Sequence, residues 1–200
     1  MSATFNQLID SYINDKVGIT ENFLDKKLTS HLRENLKALY AQKQLVAAGV
    51  GNGSVVIQDA QIRSDKIYWL DRKHNDPFEN ELFDLIDRFI SHLNETCYTG
   101  ITGYEFHYTL YETGSFYKRH KDQFRNNKGR QFSMIMYLNE DWSESDGGAL
   151  CIHLEGNSRK IMPLNGNCVL FKSSEMEHEV LITNKPRMSI TGWLKTESGS

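Results

Sequence analysis

A chain of 200 residues, 39% hydrophobic and 24% charged, is long enough to bury a full core and too apolar to stay disordered. Its formal charge of −3, from 23 basic and 26 acidic side chains, gives no basic footprint for nucleic acid. The 3 cysteines, Cys97, Cys151 and Cys168, form an odd set without a CxxC pair, which argues against a disulfide framework or zinc ribbon and for a reducing cytoplasm.

Residues 1–10 lack the basic start and apolar run of a signal peptide, and no later stretch reaches the length of a membrane span. Over residues 21–46 the side chains Phe23, Leu24, Leu28, Leu32, Leu36, Leu39 and Tyr40 recur at three- and four-residue steps, which predicts a helix with one apolar face. Residues 47–70 differ. A small, glycine-rich run leads into Val55-Val56-Ile57 and then Ile67-Tyr68-Trp69, predicting two short strands with a mobile connection, either a plain hairpin loop or a cover over substrate. Asp76-Pro77-Phe78-Glu79 then opens a second helix, with Asp at the N-cap, Pro at N1 and Glu at N3, and Leu82, Phe83, Ile86, Phe89, Ile90 and Leu93 on its buried face.

From Tyr104 onward, residues 106–111, 131–138, 148–153, 168–171, 178–182 and 188–194 are rich in β-formers. Turn material separates them at residues 126–129, 145–148, 155–157 and 164–167. Many short strands at this spacing predict an antiparallel sandwich or jelly roll. The chain reads as one domain, 1–200: about 1–98 as helical support plus a mobile β-loop, and about 99–196 as the β core.

His120-Lys121-Asp122, followed by His178 and Arg187, carries the chemistry. In a strand, residues two apart share a face, so His120 and Asp122 can reach one ion while Lys121 points away. With His178 brought opposite, two imidazoles and a carboxylate make the protein share of a non-haem Fe(II) site, although ligand identity alone does not select iron over other divalent metals. A glycine or alanine at position 122 would leave room for a halide, whereas Asp122 points to hydroxylation. The planar fork of Arg187 matches a carboxylate of a dicarboxylate co-substrate. Thr191 shares its face, and Tyr137 has a hydroxyl to offer the same group. An isolated HxD is common by chance and a lone strand arginine usually meets a surface acid, so the inference rests on the set. His31, His74, His92, His107 and His153 are expected at the surface or in hydrogen bonds, and Tyr104, Tyr108 and Trp142 in the core or at its rim.

These residues, with segments 63–69 (RSDKIYW), 111–122 (YETGSFYKRHKD), 136–142 (MYLNEDW), 146–148 (DGG), 177–180 (EHEV) and 187–193 (RMSITGW), resemble the Fe(II)/2-oxoglutarate dioxygenase superfamily. The likeness is to its prolyl 4-hydroxylase branch, and to bacterial relatives of the animal oxygen-sensing enzymes. It implies a double-stranded β-helix core backed by the helices. Iron would be held by His120, Asp122 and His178, and the distal carboxylate of 2-oxoglutarate by Arg187 and Tyr137, with Tyr111 near the metal end. Arg63 and Asp65 match a pair that anchors the mobile loop, Arg130, Tyr117 and Trp193 match the substrate entrance, and residues 47–62 match a cover over the target peptide. The turn between Tyr111 and Tyr117 is a residue shorter than in the animal enzymes, and the glycine-rich cover has its own sequence.

The implied activity is hydroxylation of a prolyl residue at C4 in a protein substrate, using Fe(II), 2-oxoglutarate and O2, with ascorbate as reductant and succinate and carbon dioxide as products. Neither nucleic acid nor membrane is expected as a partner. The alternatives are the same iron core acting on a free amino acid or other small molecule, and a jelly-roll binding or sensing module without turnover. A cupin-type isomerase would be expected to use a His-richer ligand set.

Overall fold

Alternation of side chains along three central strands decides the architecture. The computed structural model describes residues 2–52, 55–57, 59, 61–123 and 129–196. In chain order the elements are α1 (Ser2–Asp15), β1 (Val17–Thr20), α2 (Lys26–Ala41), β2 (Val46–Ala47), β3 (Val50–Asn52), β4 (Val55–Ile57), β5 (Lys66–Trp69) and α3 (Pro77–Cys97). The strands β6 (Gly103–Tyr111), β7 (Tyr117–His120), β8 (Arg130–Tyr137), β9 (Leu150–Leu154), β10 (Asn157–Ile161), β11 (Cys168–Lys172), β12 (Glu177–Val180) and β13 (Arg187–Lys195) follow.

The start of α3 follows its sequence signal. The Asp76 carboxylate accepts from the backbone N–H groups of Phe78 and Glu79 at 2.9 and 2.8 Å, and Pro77 occupies a position whose N–H would be an orphan. Glu79 does not close a capping box, because its carboxylate instead meets His74 Nδ1 at 3.0 Å. The apolar stripe of residues 21–46 overstates the other helix. Asp25 caps α2 by accepting from Leu28 N at 2.8 Å, so Phe23 and Leu24 are buried ahead of the helix and the chain leaves it after Ala41. Helix α1 and strand β1 were not foreseen; β1 packs beside α1 and pairs with β11 at the sheet edge.

Two antiparallel sheets face each other as a jelly roll. One has the order β1-β11-β8-β13-β6-β5-β2 and the other β10-β9-β12-β7, with β3 and β4 as a separate ribbon. From β6 to β13 the chain crosses between the large and small sheets almost strand by strand, which is the winding of a double-stranded β-helix. The two strands predicted at 55–57 and 67–69 are not partners: β4 pairs with β3, and β5 with β6 and β2. Asn157, read as turn, begins β10. The strands read at 148–153 and 178–182 shift to β9 and β12, because positive φ at Gly147 and Gly148 delays the first and the second ends at Val180.

On β6, β8 and β13 the even-numbered residues Phe106, Tyr108, Leu110, Phe132, Met134, Met136, Ile190 and Leu194 join Leu32, Leu36, Leu82 and Phe89 in a helix-facing core. The odd-numbered Tyr111, Ile135 and Tyr137 turn inward and pack with Leu150, Ile152, Val169, Phe171 and Val180 between the sheets. Truncating fully buried Leu82 or Phe89 to alanine would cost about 2–5 kcal/mol. Gly192 is required on the helix side, where an added Cβ would collide with the Phe106 ring and the Glu105 carbonyl.

Candidate active site

In register, β7 and β12 put His120 directly opposite His178, with ring centroids 4.2 Å apart. The register slips between His178 and Val180, so Tyr117 and His120 both face the interior although they are three residues apart. Asp122 is not on the strand, as the same-face argument assumed. It lies in the bend just beyond β7, which still turns its carboxylate inward. Its Oδ1 is 3.4 Å from His120 Nε2 and its Oδ2 3.6 Å from His178 Nε2, and one ligating atom from each residue falls within 4.8 Å of the others.

Neighbouring groups fix each ligand. His120 Nδ1 meets the Lys118 carbonyl at 2.7 Å and His178 Nδ1 the Met176 carbonyl at 3.2 Å, which places the protons on Nδ1 and leaves Nε2 as the donor to a metal. Ser133 donates its hydroxyl to Asp122 Oδ2 at 2.7 Å and is itself 2.9 Å from the Ser173 hydroxyl. Burial opposes ionisation of Asp122, yet the adjoining His178 and His120 and the Ser133 hydroxyl hold its carboxyl well below the usual carboxylate range. Burial pushes His178 down to about 4 despite the pull of Asp122, so its imidazole is neutral at neutral pH. Two imidazoles and one ionised carboxylate on one side of a point are a donor set that fits Fe(II).

The cluster opens into a cavity of about 210 Å³ whose lining includes Arg187, Tyr111, Thr109 and Thr191, with Ile135, Leu150 and Val180 as apolar wall. Arg187 is only 1% exposed. Its Nε donates to the Gly148 carbonyl at 2.8 Å, while its Nη2 and the neighbouring Tyr137 hydroxyl are buried without a hydrogen-bond partner among the described residues. Both Tyr111 and Tyr137 flank the guanidinium, with ring centroids 5.0 and 5.1 Å from its carbon. Burial pushes the Tyr137 phenol up to about 12, against the opposing Arg187 charge, so it remains a donor. Unpartnered buried donors beside a fixed cation fit the carboxylate end of a dicarboxylate. Gly148 makes the approach possible: its φ is +63°, and a Cβ there would press on Arg187 Cδ at 3.0 Å.

Nearer the mouth, Arg130 lies 3.4 Å over the Trp193 ring and pairs with Glu105 at 2.8 Å. Tyr117 stacks on His120 at 3.5 Å, and Arg63 sits 4.2 Å above Tyr117. Arg63 grips Asp65 through two hydrogen bonds of 2.8 and 2.6 Å and donates to the Gly49 carbonyl at 3.2 Å, tying the glycine-rich stretch to the rim. Ten of the twelve predicted site residues line the cavity; of the other two, Tyr137 flanks the lining residue Arg187 and Asp65 is held by the lining residue Arg63. Parts of the expected cover (residues 53, 54, 58 and 60) and of the turn at 126–129 (residues 126–128) lie outside the described residues.

Sequence reasoning missed several members. Ser133 and Ser173 anchor Asp122, and His107 lines the cavity between Trp69 and Trp193, at ring distances of 4.9 and 5.6 Å. Counting by twos was the available signal: Tyr137 leads to Ile135 and Ser133, and Tyr111 to Thr109 and His107.

The model of the 2OG-Fe(II) oxygenase superfamily matches residues 106–195. A Pseudomonas putida prolyl-4-hydroxylase structure is 29% identical, covers 97% of this chain and 100% of its own, and has a TM-score of 0.87. A Trichoplax adhaerens prolyl hydroxylase, solved with a hypoxia inducible factor oxygen degradation domain peptide, is 26% identical over 96% of this chain and 89% of its own, with a TM-score of 0.85. Prolyl 3-hydroxylase OGFOD1 of Xenopus laevis is 34% identical over 77 residues, 33% of this chain and 15% of its own length. The chain spans less than half the length of the curated relatives it matches. No helix among the described residues is long and apolar enough to cross a membrane. By family match over residues 106–195, fold and site together, the chain is similar to the 2OG-Fe(II) oxygenase superfamily and, within it, to prolyl hydroxylases.

Proposed function

We propose that the protein is an Fe(II)- and 2-oxoglutarate-dependent dioxygenase that hydroxylates a prolyl residue at C4 in a protein substrate, with residues 1–200 acting as one domain. The observation that carries this reading is the cluster of His120, Asp122 and His178 beside buried donors on Arg187 and Tyr137 that no acceptor among the described residues satisfies. Bound iron and 2-oxoglutarate supply the oxidising chemistry, consuming O2, releasing succinate and carbon dioxide, and placing one oxygen atom in a C–H bond.

The chain's own residues provide the rest. His120, Asp122 and His178 hold the metal, with backbone carbonyls fixing both imidazoles and Ser133 fixing the carboxylate. Arg187 and Tyr137 bind the distal carboxylate of 2-oxoglutarate, and Tyr111 and Thr191 line its path towards the metal. Ile135, Leu150 and Val180 keep water from that path. Arg130, Tyr117 and Trp193 receive the substrate, and the Arg63–Asp65 pair anchors the covering segment 47–62. A protein target is supported by the peptide bound to the Trichoplax adhaerens relative. Ascorbate serves as reductant, and three free cysteines fit a reducing cytoplasm.

The test is mass spectrometry of candidate proteins incubated with enzyme, Fe(II), 2-oxoglutarate and ascorbate, with a His120→Ala control. A single added oxygen on proline that depends on His120 and 2-oxoglutarate establishes the activity, and NMR of the product separates C4 from C3 hydroxylation. Succinate without a modified peptide shifts the substrate to a small molecule. Neither product, with iron bound, overturns the enzyme reading in favour of a binding module.

A further inference from the structure

The face of the small sheet turned away from the cavity carries a second convergence of donors. Strands β9 and β12 point Leu150, Ile152, His178 and Val180 inward, so Cys151, His153 and Glu179 project from the opposite face. Cys151 lies directly across from Glu179 in register, and His153 is the next residue on the same face of β9. His153 Nε2 is 2.9 Å from Glu179 Oε1, and one ligating atom from each of the three residues falls within 4.8 Å of the others. Cys151 is buried, while His153 and Glu179 are half-buried, so solvent reaches the point of convergence from one side.

We propose that Cys151, His153 and Glu179 form a second metal site, one that takes a zinc-class divalent cation. A thiolate, an imidazole and a carboxylate are the donors zinc accepts, and three of them with one water complete a tetrahedron. Sulfur in the set selects against magnesium, calcium and manganese and separates this site from the sulfur-free cluster of His120, Asp122 and His178. Binding releases the Cys151 thiol proton to solvent as the sulfur–metal bond forms. A histidine–glutamate hydrogen bond accounts for two of these residues but gives no reason for a thiol at the same point. The two sites share no residue, although Glu179 follows His178 directly. A cation held here would staple β9 to the strand that carries His178.

Cobalt(II) is the probe, because thiolate ligation gives a near-ultraviolet charge-transfer band that nitrogen and oxygen ligands do not. The full chain carrying Cys97→Ser, which removes the exposed thiol, is titrated with cobalt(II) and then with zinc(II). The expected result is a band that saturates, is displaced by zinc, survives His120→Ala and vanishes in Cys151→Ser. His153→Gln and Glu179→Gln should each weaken cobalt binding at this site at least about tenfold, since loss of a direct ligand exceeds the usual effect of an outer partner. Absence of the band, or its persistence in Cys151→Ser, overturns the site. Should Cys151→Ser fold poorly by circular dichroism, wild-type cobalt affinity in both glutamine variants overturns it equally.

Discussion

Replacing Arg187 by methionine should make the protein more stable and less able to bind 2-oxoglutarate, both for the same reason. The guanidinium is 1% exposed, its Nε donates to the Gly148 carbonyl, and its Nη2 has no acceptor among the described residues. A buried donor left unsatisfied costs about 1–3 kcal/mol, and the Nε hydrogen bond returns about 1 kcal/mol. A methionine of similar length therefore yields a net gain on the order of 1 kcal/mol, or about 2–4 °C in Tm for a chain of this size. Against the co-substrate, removing one partner of a buried charge pair costs about 2–5 kcal/mol, a loss of affinity of about 30-fold to several thousand-fold. Arg187→Lys should show no gain in stability and an intermediate loss of affinity, because it keeps the charge but not the fork. Scanning fluorimetry of the protein without co-substrate, paired with calorimetric titration of 2-oxoglutarate into manganese-loaded protein, measures both halves. A methionine variant that melts earlier and binds 2-oxoglutarate normally would refute the reasoning.

Ser133→Ala should lower Fe(II) affinity by about 10–100-fold in competition with a chelator, because Asp122 loses the hydroxyl that orients it; unchanged affinity removes Ser133 from the metal site. Burial pushes His107 down to about 4, although Asp65 pulls the other way, while an unfolded histidine titrates near 6.5. The unfolded chain thus takes the proton first, and this contribution to stability is complete above about pH 6.5 and lost as pH falls towards 4. His107→Gln should flatten the urea-stability profile across that window by up to about 1.4 kcal/mol per pH unit, and an equal slope in both proteins would count against a buried neutral imidazole. Gly192→Ala should cost about 3 kcal/mol in chemical denaturation, since the Glu105 carbonyl is backbone and cannot yield; a wild-type midpoint would show that the strands slide apart easily.

Much of the site was legible because its residue types are rare in combination. The order His120, Asp122, His178, Arg187 needs no knowledge of pairing, and the Asp76-Pro77 start of α3 is written in adjacent residues. What stayed hidden depended on contacts distant in sequence or on polar strands. Strand β7 reads Tyr-Lys-Arg-His and β10 reads Asn-Ser-Arg-Lys-Ile, so neither shows the apolar alternation that marks a strand. Helix α2 starts late because Asp25, not the first apolar residue, ends the extended chain. Ser133 carries no signal of its own within a strand, and only the fold brings it to Asp122; His107, expected at the surface or in a hydrogen bond, is enclosed by its register with Trp69 and Thr191. Cys151, His153 and Glu179 were unremarkable for the same reason, being brought together only by the pairing of β9 with β12.

The odd–even division of β6, β8 and β13 has a consequence for how this sequence can change. Beyond Arg130, where the register with β13 is irregular, one parity of each strand answers to the helices and the other to the cavity, so substitutions in the two sets are nearly independent. Phe132, Met134 or Ile190 can exchange with residues of similar volume while the chemistry stays untouched. Inserting or deleting a single residue in any of these strands is a different matter. It would exchange the two sets at once, presenting Ser133 and Thr191 to the helices and Met134 and Ile190 to the iron ligands. Drift by substitution is therefore open to these three strands, and drift by length is closed.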